Sequence, residues 1–501
     1  MLTESSAVLK IHLRKWTLVV LLVLSLLGVI GGYDRFERNR RIVPPTSTVS
    51  IAVLPFVDLS PARDQEYFAD GLTEEAINAL AKVPGVRVVA RSSSFQFKSR
   101  NEDLRVVGRK LGATNIVEGS VQRKGDHIRI MAELVKVDDG FQLWSETYDR
   151  KIDDIFSVED EIARATTRAL QVKFASPRGT AVSTDGRSSN PAAYQAYLQG
   201  QDFFGSDTDK GNLQRALAYA DQAIKLDGSY APAWALRSRV LNVMAAYGRD
   251  VVEGYRQARE DANRAIALNP DSADGHLALG WIQMSYDWDW GGAEASLKKA
   301  AELEPGSVEV LRYQSVLYRT LGRENDAIAL YEQVAALDPL RARSHSSLGY
   351  MLYAAGKYDE AAAALRRALE LNPQKKQDHV ILAQILLARG RPEQALEQVS
   401  QEPSEDWRLF GEALTYHSLD RSNDSKSALS EFASTREKGW ACQIAEVYAC
   451  RGENDKAFGW LDRAYRQRDG GLTFLQIDPL LKNLRDDPRY DDLLRKMQLS
   501  P

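Results

Sequence analysis

Hydrophobic and polar positions follow three different patterns along the chain. One apolar run comes first, residues 16–33, in which no residue is charged. A region of mixed periods follows, where short apolar runs such as VSIAVLPF alternate with segments of helical period. From Asn190 onward only the helical period remains, in alanine-rich segments. The patterns therefore predict an apolar span, an α/β domain and an all-helical region.

Residues 16–33 are long enough to cross a membrane as one helix. Eighteen residues of α-helix span about 27 Å, close to the thickness of a bilayer's hydrocarbon core, and Trp16 and Tyr33 stand where interfacial aromatic residues are expected. The alternative is a cleaved signal peptide, but the run ends in Gly-Gly-Tyr without an A-x-A-like site. We predict a transmembrane helix over 16–33, a short cytoplasmic tail over 1–15 and a linker over 34–48.

The region that follows the linker alternates strands and helices. VSIAVLPF and VRVVA predict buried strands, and each is followed by a helical period, the second over Asp103 to Leu111. Turn residues separate three more strand candidates, NIVEGSVQR, HIRIMAELVKV and FQLWSETYD. A closing helix would place on one face the residues Ile155, Val158, Ile162, Ala165 and Ala169. The sequence predicts an α/β sandwich domain over 49–174, followed by a flexible Gly/Ser/Thr-rich linker over 175–190.

A repeat of 34 residues fills the helical region. Four prolines stand 35, 34 and 34 residues apart, namely Pro270, Pro305, Pro339 and Pro373. An alanine precedes each proline by twelve residues, and in several units a glycine precedes the alanine by five. A small residue lets two helices approach, glycine forms the turn and proline ends the second helix. This pattern is typical of tetratricopeptide repeats (TPR) and predicts an all-α solenoid of about eight helix pairs over 191–470, with a capping segment over 471–501.

One unit is longer by a residue, in the segment SYDWDWGGAE. Its aromatic and acidic residues could form a sugar-stacking platform, a metal loop or a piece of scaffold. Counted back from Ala293, Trp290 holds the place that Tyr358 holds in a later unit, and Asp289 stands where an N-cap carboxylate is useful. The register therefore predicts a lengthened repeat turn, with Trp288 in the slot usually given to glycine.

Composition narrows the function classes. The chain has 501 residues, a formal net charge of -4, 44% apolar and 27% charged residues. These values are typical of a folded protein and give no reason to expect nucleic-acid binding. The sequence carries no G-x-S-x-G, P-loop or H-E-x-x-H motif. We predict that the chain is not an enzyme and needs no cofactor.

Three histidines invite a metal interpretation. His276, His345 and His379 each follow a repeat proline by six residues, in the slot that Trp234 and Leu311 fill in other units. That slot packs the first helix of a repeat, and packed helices lie about 8–10 Å apart, so the rings need not converge on one ion. We predict structural packing and no metal site.

A basic, hydroxyl-rich run covers Arg91 to Arg100. It could bind an anion, but without a second motif to complete such a site we predict a polar edge strand.

The best-supported binding surface is the concave face of the repeats, which the first helices form. Residues spaced i, i+3, i+7 and i+10 on those helices point inward. In the clear units they are Trp281, Arg312, Arg319, Arg343, Tyr350 and Tyr353. Arginine together with Trp and Tyr is typical of interface hot spots and suits an acidic or carboxylate-ended peptide. The alternative is a solvated face without a fixed ligand.

The α/β region resembles the TolB N-terminal-like (FlgO-related) domain. The segments that carry the resemblance are, in order, IAVLPFVDLS, EYFADGLTEEAINAL, VRVVARSSSF, LGATNIVEGSVQRKGDHIRIMAEL, LWSETYDR and DIFSVEDEIA. The helical region is similar to the TPR arrays that follow this domain in the sensor halves of CadC-type regulators and TPR-linked nucleotide cyclases. Basic residues flank the apolar span on both sides, so charge does not decide its orientation. The resemblance implies a cytoplasmic N-terminus and a bulk that lies in the bacterial periplasm.

The chain departs from that family in one respect. Fifteen residues precede the predicted span, so we expect no DNA-binding or cyclase output domain there. We predict a single-pass inner-membrane protein that acts as a TPR scaffold and binds protein partners through its concave face. The alternative is a periplasmic sensory module that signals to a separate transcriptional or cyclase output protein.

Overall fold

The computed structural model describes most of the chain beyond residue 48. It covers 49–151 apart from 62, 64, 84, 101 and 126; then 161, 162, 165, 168, 169, 188, 190–205, 210–247, 251–435 and 439–500. The predicted transmembrane helix over 16–33 lies outside these residues, as does most of the predicted linker over 175–190. Within the described part, no helix has the length and apolar character to span a membrane.

The first described region is a mixed sheet with helices. Its strands are β1 Val49–Val53, β2 Val57–Asp58, β3 Val86–Val88, β4 Asn115–Lys124, β5 His127–Lys136 and β6 Gln142–Lys151. Its helices are α1 Glu66–Ala81, α2 Arg91–Ser94 and α3 Leu104–Leu111. The strand order is β3-β1-β4-β5-β6, with β2 paired to β4. The first pairings are parallel and the last two antiparallel.

The local patterns explain these elements. β1 is buried along most of its length, as expected of a strand in a parallel pairing with a neighbour on each side. Asp103 begins α3 by accepting a hydrogen bond from the backbone N–H of Arg105, and Gly112 ends the helix in the left-handed conformation. Gly125 and Gly140 have positive φ in the turns between the long strands. The predicted strands and the helix ending at Leu111 are confirmed.

The prediction of an edge strand over Arg91 to Arg100 was wrong. The chain forms the short helix α2 there, followed by a 3₁₀ turn at Phe95–Phe97. The backbone N–H of Ala90, which a further strand would have paired within the sheet, donates instead to the carbonyl of Leu337, at 2.7 Å. A contact with the helical region therefore ends the sheet pattern at this point.

The second described region consists of sixteen helices in eight consecutive pairs. They are α4 Pro191–Gly205 with α5 Lys210–Leu226, α6 Ala231–Tyr247 with α7 Val251–Leu268, α8 Ala273–Ile282 with α9 Trp290–Leu303, α10 Val308–Thr320 with α11 Glu324–Leu337, α12 Ala342–Ala354 with α13 Tyr358–Leu371, α14 Asp378–Ala388 with α15 Pro392–Val399, α16 Glu405–Ser418 with α17 Ser422–Thr435, and α18 Ala441–Cys450 with α19 Asn454–Gln467. The two helices of each pair pack against one another. This is a long all-α array of TPR helix pairs.

The alanines of the repeat lie between packed helices and its glycines lie in the turns, as predicted from their small side chains. Four alanines of the repeat phrase are fully buried between paired helices, namely Ala258, Ala293, Ala327 and Ala361. Four glycines have φ between 67° and 72°, namely Gly322, Gly356, Gly390 and Gly452. The left-handed conformation is open to glycine without strain, and here it turns the chain between the helices of a pair. The TPR prediction is confirmed for the array.

The lengthened turn contains a π-helical segment. Residues Gln283–Asp287 form this segment after α8, and it accommodates the additional residue. Asp289 caps α9 by accepting a hydrogen bond from the backbone N–H of Gly292, at 2.9 Å, as predicted. Trp288 has a left-handed φ of 58° and is buried, and the guanidinium of Arg468 lies 3.9 Å from its ring centroid. The indole therefore joins the third helix pair to the last.

The chain beyond α19 folds back onto the array. This C-terminal segment, residues 470–500, contains the 3₁₀ turns Gly470–Phe474 and Pro479–Leu484 and helix α20, Pro488–Lys496. The indole N–H of Trp290 donates to the carbonyl of Met497 at 2.7 Å, in a buried position. One hydrophobic cluster contains residues of the third and fourth pairs, of the last pair and of the C-terminal segment. The segment thus packs against two distant parts of the array.

Candidate functional site

The six residues predicted to form the binding face lie on three first helices. Trp281 is on α8, Arg312 and Arg319 are on α10, and Arg343, Tyr350 and Tyr353 are on α12. Helices α8 and α10 contact one another, and α11 contacts both α10 and α12. The structure therefore places these residues on successive units of the array.

Trp281 and Arg312 are engaged within the array. The ring of Trp281 is half-buried, with its centroid 4.8 Å from that of Tyr313. The Arg312 side chain is 13% exposed and pairs with Glu309 at 2.5 Å and with Asp338 at 3.2 Å. Because both acidic partners come from the chain itself, the guanidinium of Arg312 is not free to bind a carboxylate of another molecule.

The C-terminal segment covers a further part of the predicted face. The Arg319 guanidinium lies 3.6 Å from the ring centroid of Phe474, and its Nη2 donates to the Thr473 hydroxyl at 2.9 Å. The Tyr350 ring packs edge-on against Phe474, at 4.8 Å between centroids. Tyr353 is buried beside Tyr350, and burial raises the pKa of both phenols well above the ordinary value. The chain's own residues occupy this stretch of the surface.

Arg343 differs from the other five residues because its side chain is exposed. It stands in the first turn of α12, and Tyr350 lies seven residues further on. That spacing is about 10 Å along the helix axis. The predicted face thus remains accessible at Arg343.

A cavity of about 340 Å³ opens beside Tyr350, between α14, α16, α18 and the C-terminal segment. Trp407 and Trp440 contribute aromatic walls, with ring centroids 4.8 Å apart. Glu446, Asp469 and Asp478 contribute carboxyl groups. Burial, together with the neighbouring carboxyl of Asp478, raises the pKa of Glu446 well above its ordinary value.

The sequence interpretation missed this cavity. One signal was present, because Glu446 is the only charged residue in the mostly apolar helix ACQIAEVYAC. A charged residue at a buried helical position is rarely tolerated without a partner. The residues that complete the cavity, however, come from three repeats and the C-terminal segment, and a search for local motifs does not bring them together.

A second cavity, of about 190 Å³, lies between the α/β domain and the array. Glu74 and Arg91 line it from the α/β domain, and Arg239, Asp274 and Glu309 line it from the array. The Nε of Arg91 lies 3.2 Å from the Glu74 carboxylate, and burial raises the pKa of Glu74. The arrangement offers both positive and negative groups to a small polar molecule.

Hydrogen bonds join the α/β domain to the array next to this cavity. The hydroxyl groups of Ser92 and Ser93 donate to one carboxylate oxygen of Asp338, at 2.6 and 2.7 Å. Asp338 follows α11 and is fully buried. The basic, hydroxyl-rich run therefore contributes to an interdomain joint, where its hydroxyl groups meet a carboxylate of the protein.

The repeat histidines make local hydrogen bonds. The Nε2 atoms of His276 and His345 each lie 2.9 Å from the carbonyl oxygen of the repeat proline six residues earlier, and Trp234 donates to the carbonyl of Gly228 over the same spacing. His379 places Nδ1 3.2 Å from the side-chain oxygen of Gln398. At His276, His345 and Trp234 the slot thus ties the first helix to the preceding turn, whereas His379 contacts the following helix, α15. Among the described residues, no group of His, Cys, Asp or Glu is arranged to hold a metal ion.

Comparisons with known proteins agree with the identification of the helical region as a TPR array. Two profiles of the tetratricopeptide repeat family match residues 318–376 and 352–406. A curated relative, named "Putative adenylate cyclase 3" of Rhizobium meliloti (strain 1021), is 34% identical over 240 residues. That match covers 47% of this chain and 40% of the relative, so the chain spans less than half the length of that protein.

Solved structures are similar to parts of the chain. A monomeric mutant of IFIT1 with Gppp-AAAA is 13% identical, covers 69% of this chain and 78% of that one, and has a TM-score of 0.43. YrrB, described as a TPR protein with an unusual peptide-binding site, is 23% identical, covers 40% of this chain and 90% of that one, and has a TM-score of 0.27.

Proposed function

We propose that this chain is a membrane-anchored TPR scaffold that binds a protein partner on the part of its concave face left open by the C-terminal segment. TPR arrays bind proteins or peptides, and this array has eight helix pairs. The observation that carries the proposal is the exposed Arg343 on the same helix as Tyr350, which lines the 340 Å³ cavity. A partner segment that lies along α12 can reach both.

We also propose that the chain is anchored in a membrane and that it has no catalytic activity. The uncharged run over 16–33 supports a single-pass anchor, and the resemblance to TolB N-terminal-like proteins supports a bacterial inner membrane with the bulk of the chain in the periplasm. The cyclase named in the curated relative is not carried over, because the match covers 40% of that protein.

The scaffold is tested by charge reversal at Arg343. Arg312 and Arg319 hold internal contacts, so substituting either would disturb the array itself. Arg343→Glu places an acidic group on the open surface, and an acidic partner segment should then bind at least about tenfold more weakly. Arg367→Glu is the matched control, since Arg367 is also an exposed arginine but lies on a second helix, α13. Partners recovered by crosslinking in the membrane should be lost from the first variant and retained by the second. Equal recovery from both would contradict binding at this face.

A second candidate is a sensory module that signals to a separate transcriptional or cyclase output protein. The observation that favours it is the charged cavity between the α/β domain and the array, because a ligand bound there would contact both. Arg239 lines that cavity with a side chain that is 12% exposed. A polar metabolite that raises the thermal midpoint of the full-length chain, and does not do so in Arg239→Met, would support this function. If no metabolite of a broad panel shifts the midpoint, the sensory candidate fails.

A further inference from the structure

The 340 Å³ cavity has an unusual combination of walls. Its residues Trp407 and Trp440 are half-buried aromatic side chains from α16 and the turn before α18. Glu446, Asp469 and Asp478 bring three carboxyl groups to the same cavity. We call this site the tryptophan–carboxylate pocket. Its volume is near the lower end of the range of about 300–1,000 Å³ for ligand sites, so it suits one side chain or one small ligand.

The three carboxyl groups are buried, with exposed fractions of 4–7%. Asp469 accepts a hydrogen bond from the backbone N–H of Gly471 at 2.9 Å, and Asp478 accepts one from that of Leu480 at 2.8 Å. Glu446 accepts from the side-chain amide of Gln443 at 3.3 Å. All of these donors are neutral. The polar groups that hold the carboxyl groups therefore orient them without bringing a positive charge to them.

The described lining of the pocket offers no basic side chain to these carboxyl groups. None of the described residues that line the pocket is Lys, Arg or His. Arg485 is the basic group behind Asp478, and its guanidinium donates to the backbone carbonyl of that residue at 3.2 Å. Burial raises the pKa of both Glu446 and Asp478, and the two carboxyl groups share a hydrogen bond. In the described lining, the three carboxyl groups thus face the cavity beside neutral hydrogen-bond donors and without a basic side chain.

Buried carboxyl groups, when they are charged, are normally paired with a cation or coordinated to a metal. The described residues contain no group of carboxyl, His or Cys side chains placed to hold a metal ion. The two indole rings that line the pocket would contribute nothing to metal binding, but an indole ring attracts an organic cation through its negative face. The combination of indoles and carboxylates therefore favours an ammonium or guanidinium group over a metal ion.

We propose that the tryptophan–carboxylate pocket receives the cationic head of a lysine or arginine side chain that a protein partner presents. The inference rests on the proposed scaffold function and specifies the partner's chemistry. Arg343 selects an acidic position in the partner segment, and the pocket, reached past Tyr350 on the same helix, selects a basic one. A partner segment that carries both charges satisfies both sites.

The test measures binding of short peptides to the full-length chain in detergent. The probe is acetyl-Gly-Ala-Arg-Ala-Gly-amide, and its matched control carries citrulline, a neutral isostere, in place of arginine. The arginine peptide should bind at least about tenfold more tightly, because a desolvated cation gains both the carboxylates and the indole faces. Equal affinity of the two peptides, or no binding at millimolar concentration, would overturn the proposal. Free argininamide that binds as tightly as the peptide would overturn the peptide source and leave a small cationic molecule as the ligand.

Two variants test whether the preference for the arginine peptide arises in the tryptophan–carboxylate pocket. Glu446→Gln keeps the shape and removes a carboxyl, and Trp407→Leu removes an aromatic wall; each should reduce the preference for arginine over citrulline to less than about threefold. Glu412→Gln, in α16 and outside the pocket lining, is the control and should leave the preference unchanged. An unaltered preference in Glu446→Gln and Trp407→Leu would show that the cation binds elsewhere. If partner crosslinking depends on Arg343 but not on Glu446, this inference fails and the scaffold function stands.

Discussion

Removal of the Asp338 carboxylate tests whether the α/β domain and the array form one cooperative structure. Asp338 is fully buried and accepts hydrogen bonds from Ser92 and Ser93, at 2.6 and 2.7 Å. It also pairs with Arg312, whose side chain is 13% exposed. In Asp338→Ala both hydroxyl groups lose an acceptor, and the buried guanidinium keeps only Glu309.

The expected loss follows from these contacts. Breaking a buried ion pair by removing one partner costs about 3–5 kcal/mol, and a hydrogen bond to a charged group contributes about 1.5–3 kcal/mol. These contributions overlap, and Glu309 still compensates Arg312, so we expect about 3 kcal/mol. For one cooperative unit of about 450 residues, with about 2.1 cal/mol/K of unfolding entropy per residue, this corresponds to a lower midpoint by about 3 °C.

Calorimetry of the full-length chain measures the effect as the midpoint of its first transition. Asp326→Ala is the control, because that carboxylate pairs with Arg323 at 2.9 Å and is 52% exposed; its loss should cost less than about 1 kcal/mol. In a double-mutant cycle, Ser93→Ala and Asp338→Ala should show a coupling of about 1–3 kcal/mol. Equal midpoints for the two aspartate variants, or no coupling between Ser93 and Asp338, would contradict a stabilising contact between the α/β domain and the array.

Three further predictions concern other parts of the array. Gly471→Ala should lower the free energy of unfolding, measured by thermal denaturation, by about 1–3 kcal/mol, because the new Cβ would lie 2.5 Å from Cβ of Cys442. Gly470→Ala is the control, because its new Cβ meets open space and should have a small effect. Equal effects of the two substitutions would contradict the close packing of the C-terminal segment. Asp289→Ala should cost about 1 kcal/mol in chemical denaturation through loss of the cap of α9, and an unchanged midpoint would contradict that cap. Burial raises the pKa of Asp378 from 3.8 to about 6. The folded state then binds more protons between these values, so this group makes stability fall as pH rises through that window, by about 1.4 kcal/mol per pKa unit. Asp378→Asn should show a smaller loss between pH 4 and 6, and identical pH profiles would contradict the shift.

The features predicted correctly from the sequence depend on short-range chemistry. The glycines of the repeat turns were identifiable because a positive φ favours glycine wherever the turn occurs. The cap at Asp289 was predictable from its distance to Ala293, since helix starts place an acceptor within a few residues of the first free N–H groups. The residues that set these elements are close in the chain.

The features that the sequence did not predict depend on residues far apart in the chain. Ser93 and Asp338 are 245 positions apart, and Arg319 and Thr473 are 154 apart. The helical spacing correctly placed Arg319 and Tyr350 on first helices, but it contains no information about which segment packs over them. The C-terminal segment covers both, and the same segment completes a pocket whose carboxyls come from α18 and from residues beyond α19.

Site-specific photo-crosslinking in the native membrane shows directly whether a protein partner binds along α12 and at the tryptophan–carboxylate pocket. A photoreactive amino acid is placed at Arg343 or Trp407, on the proposed partner surface, or at Arg367 on α13 as the control. If the chain is a scaffold that binds its partner at this face, the first two positions should crosslink to the same protein and the third to none. Crosslinks from Arg367 alone, or none from Arg343 and Trp407, would contradict binding of a partner at this face.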